Sequence, residues 1–74
     1  MSRLIRLDRT GHTTLAEWST GDPESFERAS AAFSRELESG MIASATGADG
    51  TAEVVRELPP EADLVVMRRQ IAGG

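Results

Sequence analysis

Leu64-Val65-Val66-Met67-Arg68-Arg69-Gln70-Ile71-Ala72-Gly73-Gly74 is the stretch on which the reading of the fold turns. Four apolar residues in a row, with β-branched Val65 and Val66 among them, are too few for a helix. They suit a strand covered on both faces, and so a strand in the middle of a sheet. Arg68-Arg69-Gln70 then turns polar, and Gly73-Gly74 offers backbone without side chains. Residues lacking Cβ adopt almost any backbone angles and can thread a narrow channel, and a terminus free of tertiary contacts can reach into another protein's site. The expected organisation is one domain over residues 1–69 and a flexible tail over 70–74.

Working outward from that strand, Pro59-Pro60 must break whatever precedes it, because neither proline can donate to a ladder. Met41 to Thr46 and Thr51 to Leu58 read as two strands joined by Gly47-Ala48-Asp49-Gly50, with Val54 and Leu58 expected on one face. Upstream, Asp22-Pro23 is a helix start: Asp caps the first turn and Pro at the first position has no amide hydrogen to leave unsatisfied. Glu24 and Glu27 sit near the positive end of the helix dipole. Phe26, Ala29, Phe33 and Leu37 form one apolar stripe, and Gly40 suits a left-handed stop, so the helix is expected from about Pro23 to Ser39. At the N-terminus, Ser2 to Leu7 and Thr13 to Trp18 read as strands joined through the Asp8-Arg9-Thr10-Gly11 turn. The order is β-β-α-β-β-β. One helix across a four- or five-stranded mixed sheet accommodates it, with Leu64–Met67 beside the first strand. The expected core is Phe26, Phe33, Leu37, Val54 and Val66.

Composition narrows the classes. At 74 residues, of which 39% are hydrophobic, the chain supports a single small core. It has no cysteine and one histidine, which excludes disulfides and thiolate chemistry and leaves little for a zinc site. Twelve acidic against eight basic residues give a net charge of −4, unfavourable for binding a phosphate backbone, so no nucleic-acid partner is expected. No apolar run has the length of a membrane span and the N-terminus is too polar for a signal peptide, so no membrane partner and a cytoplasmic location are expected. All eight basic residues are arginine. Arginine-favouring codon usage accounts for this, and avoidance of lysine amines as acceptors in an amide-forming reaction is the functional alternative.

The resemblance lies at the C-terminal end. Asp63-Leu64-Val65, followed at fixed spacing by Ile71-Ala72-Gly73-Gly74, resembles the end of the molybdopterin-synthase small subunit and thiamine sulfur-carrier families. In those families an acidic residue opens the last strand and the chain ends in a small residue plus Gly-Gly. The match covers about twelve residues, and size and element order agree with it. Two features depart from the pattern: Arg69-Gln70 stands where the molybdopterin branch often has Pro-Pro, and the Asp8-to-Trp18 hairpin carries no motif of either family. The resemblance implies an α+β fold of the β-grasp, ubiquitin-like kind. It also implies that the Gly74 carboxylate, with Gly73 beside it, is adenylated by an E1-like enzyme. The product would be a thiocarboxylate for a sulfur acceptor, or a conjugate with a target protein. The chain would then be a protein substrate rather than an enzyme, with no cofactor of its own, the ATP and magnesium being used by the partner. Arg68, Arg69, Ile71 and Ala72 would form the partner-binding segment, the arginines meeting an acidic groove.

Other candidates have plainer explanations. His12 lies near Asp8 and Thr10, yet no serine or second base stands at a spacing that would build acid–base catalysis, and a turn histidine is usually exposed. Trp18, the sole tryptophan, is either an interface anchor or part of the core or its rim. Arg68 and Arg69 read equally as a solvated strand end, and the acidic helix as a solvated outer face. The alternative function is a small non-catalytic adaptor that binds a larger assembly through a sheet edge or the Trp18 side.

Overall fold

The computed structural model describes residues 1–47 and 49–69. It has five strands and one helix in the expected order: β1 (Ser2–Asp8), β2 (Gly11–Trp18), α1 (Pro23–Glu38), β3 (Met41–Thr46), β4 (Ala52–Val55) and β5 (Leu64–Arg69). The strands form one mixed sheet ordered β2-β1-β5-β3-β4. β5 is central, parallel to β1 on one side and antiparallel to β3 on the other. The described chain is therefore an α+β domain with one helix on a five-stranded mixed sheet, an arrangement compatible with a β-grasp-like fold.

The same local device closes both hairpins. Asp8 Oδ1 accepts from the Thr10 backbone N–H at 2.9 Å and from its hydroxyl at 2.7 Å. Asp49 Oδ1 accepts from the Thr51 N–H at 3.1 Å and its hydroxyl at 2.8 Å. Each Asp-x-Thr unit folds the turn back on itself before the next strand begins. The helix starts where its caps direct: Asp22 accepts from the Ser25 N–H at 3.3 Å and Pro23 opens the first turn. It ends at Ser39, after which Gly40 takes φ +91°, a conformation that side-chain-bearing residues avoid.

The helix lies across one face of the sheet, against β2 and β3. The core beneath it contains Leu4, Trp18, Ala29, Phe33, Ala43, Ala45, Val65 and Met67, all buried. Phe33 is 2% exposed and Trp18 1%. Small residues line the contact at Ala29, Ala43 and Ala45, which lets helix and sheet approach closely. Between β1 and β2, Leu4 pairs with Ala16 but Ile5 with Thr14, so β2 holds one residue more. The extra residue, Leu15, packs against the core through this bulge.

Four core expectations are corrected, and the first is Leu37, which is half-buried and packs against the core without belonging to its buried set. Phe26 is only half-buried. It sits in the first helical turn, its ring edge-on to Trp18 with centroids 6.3 Å apart, and is covered from one side. Val54 is 66% exposed, because its register opposite Ser44 places it on the face away from the helix. Leu58 enters the core from the loop instead. Val66 also belongs to the helix-free face: alternation along β5 sends Val65 and Met67 inward and leaves Val66 beside Ile5.

Candidate functional site

The expected site begins where β5 ends. β5 remains paired to its last residue, Met41 opposite Arg69 and Ile42 opposite Arg68. The backbone is thus held up to the point where Gln70 follows. Ile71, Ala72, Gly73 and Gly74, and the tail expected over 70–74, lie outside the described residues. Arg68 and Arg69 are both exposed, but alternation separates them. Arg69 shares the helix side with Met67, and Arg68 shares the open face with Val66. The two arginines are not one cationic patch; each marks the end of β5 on a different face.

The open face carries a row of cross-strand neighbours, Thr14, Ile5, Val66, Ser44 and Val54, one from each strand. Leu7, 45% exposed, follows Ile5 along β1. Charge on this face is sparse. Arg3 pairs with Glu17 at 3.5 Å across β1 and β2, and Arg68 lies opposite Ile42. The alternation of Ile5 and Leu7 that identifies β1 in the sequence is the alternation of this face, while Leu4 is the residue that enters the core.

On the helix side at the same end, Arg6 reaches both oxygens of Glu36, at 3.3 and 3.4 Å. Thirty positions separate these residues, so no local spacing announces the pair. Nearby, the two Thr10 donors hold the Asp8 carboxyl below the usual carboxylate range, with a smaller contribution from Arg6, and Asp49 is lowered in the same way by Thr51. Asp8 Oδ1 is thus committed to Thr10, and His12 is exposed.

At the opposite end of β5, a cavity of about 330 Å³ opens beside Trp18, Pro23, Phe26 and Pro60, with Asp22 and Glu61 on its rim. The Trp18 indole donates to the Pro60 carbonyl at 3.2 Å, so the tryptophan ties the β4–β5 loop to β2. Its role in the fold is that of a core residue.

Among the described residues no group of three or more His, Cys, Asp or Glu side chains is placed to hold a metal ion, and no helix is long and apolar enough to cross a membrane. Comparison with known proteins returned no matching family model, no matching curated sequence and no matching solved structure.

Proposed function

We propose that the chain is a β-grasp, ubiquitin-like carrier protein acting in the cytoplasm, whose Gly74 carboxylate is adenylated by an E1-like enzyme. The observation that carries this reading is the position of β5. It is the central strand, paired on both sides, and it leads into Gln70 and the Gly73-Gly74 end. A strand held by two ladders presents whatever follows it from a fixed point, and glycines then supply reach into a narrow site. Leu7, exposed on the open face near this end of the sheet, adds an apolar contact for a larger enzyme.

In this reading the carboxylate attacks the α-phosphate of ATP, pyrophosphate leaves, and an acyl-adenylate forms. Hydrosulfide, or an amine or thiol of a target, then attacks the acyl carbon and displaces AMP, giving a thiocarboxylate or a conjugate. The chain supplies position and the partner supplies the acid–base and metal chemistry. The test is ATP–pyrophosphate exchange with E1-like enzymes of the source organism, using protein whose Gly74 terminus is verified by intact mass. Exchange that disappears on deletion of Gly74 supports the reading, and no exchange with any such enzyme overturns it.

One observation favours the adaptor reading: β2, eight residues long, lies at the border of the sheet and among the described residues pairs only with β1. A partner strand could add there. Thr13→Pro would then abolish partner binding, while deletion of Gly74 would leave it intact.

A further inference from the structure

We propose that the groove at the exit of β5, on the helix side, is a docking site for an acidic peptide segment of a partner protein. The groove measures about 1150 Å³ and is bounded by Arg6, Arg9 and Arg69, with Asp8, Glu36 and Met41. Three guanidinium groups here face two carboxylates, in a chain whose net charge is −4. Both carboxylates have partners within the fold: Asp8 is held by Thr10, and Glu36 by Arg6. Among the described residues, Arg9 and Arg69 make no ion pair. The unmatched charge of the groove is therefore positive and sits at its two exposed lips.

Size and wall chemistry select the occupant. The volume exceeds that of a typical small-molecule pocket, so one inorganic anion would leave it mostly empty. An extended segment with spaced carboxylates can reach Arg9 and Arg69 separately while placing an apolar side chain on Met41. Arginine forks suit carboxylates because they bind them with two parallel hydrogen bonds. This inference rests on the groove alone and does not depend on activation of Gly74.

The experiment titrates a short peptide of glutamate and leucine residues into the ¹⁵N-labelled full chain. Amide shifts are expected at Leu7, Arg9, Met41 and Arg69. Arg9→Glu and Arg69→Glu, made singly and together, should weaken binding by roughly tenfold or more, while Arg28→Glu on the helix leaves it unchanged. Raising salt from about 0.1 M to about 1 M cuts the screening length from roughly 10 to 3 Å and should weaken binding as well. Deletion of Gly74 should leave it intact, so that failure here and failure of the carrier reading are separate results. Absence of groove shifts, equal loss in Arg28→Glu, or the same shifts from inorganic phosphate with displacement of the peptide would each overturn the proposal.

Discussion

Asp8 and Asp49 show how one residue sets a turn and its own chemistry together. Each carboxylate accepts two hydrogen bonds from a threonine two positions on, and each pKa is lowered for that reason. The charged form is the bonded form, so any stabilisation it gives is present at neutral pH. It disappears as pH falls through the depressed pKa. NMR titration should show both carboxyls protonating below the ordinary range, with Thr10→Val returning Asp8 part of the way and leaving Asp49 alone. An Asp8 pKa indifferent to Thr10 would refute this cause. Gly40 is a different case, because its constraint is purely backbone. It has φ +91° and nothing within 4 Å of where a Cβ would stand. Gly40→Ala should therefore cost about 1–2 kcal/mol from conformation alone, seen as a lower melting temperature with the fold unchanged. Unaltered melting would mean that the helix end adapts without strain.

The helix separates two phenylalanines that look equivalent in the sequence. Phe33 lies over the middle of the sheet and is buried, so Phe33→Ala should cost about 3–5 kcal/mol. Phe26 overhangs the sheet's end against Trp18, and Phe26→Ala should cost about half as much, since part of its surface is already in water. Equal losses in thermal denaturation would place both rings in one environment and refute the packing. The stripe was legible because a helix repeats its faces every three or four residues. How far that stripe overhangs the sheet is a tertiary fact, and no periodicity encodes it. The strands divide in the same way. Leu64–Met67 was legible as central from its unbroken apolar run, but which of Val65 and Val66 faces the helix depends on register with β1 and β3. Val54 was misplaced because its face follows from register opposite Ser44, and Leu58 does not share that strand since β4 stops at Val55. At the candidate site, Arg68 and Arg69 were visible as neighbours, but their separation onto two faces follows from the pleat. The Arg6–Glu36 pair exists only once α1 lies across the sheet.

At the scale of the molecule, the described fold is two hairpins and a keystone. β1–β2 and β3–β4 each close on themselves, and the ladders that join them both run through β5. An isolated two-stranded hairpin is marginally stable at best in water, so neither half has the means to persist alone. β5 also contributes Val65 and Met67, both fully buried, each worth about 1.5–3 kcal/mol of burial. Set against the roughly 5–15 kcal/mol of a typical domain, those two side chains and both ladders decide whether this one folds. Every described core residue lies at or before Met67. Two truncations should therefore behave oppositely. Removing residues 70–74 should leave cooperative unfolding and a melting temperature close to the parent's, while removing 64–74 should give an unfolded chain with neither hairpin protected in hydrogen exchange. A cooperatively folded 1–63 fragment would refute the keystone role. The carrier reading adds its own requirement: the 1–69 fragment must keep the fold and lose all exchange activity, because the strand that holds the sheet together is the one that presents the tail.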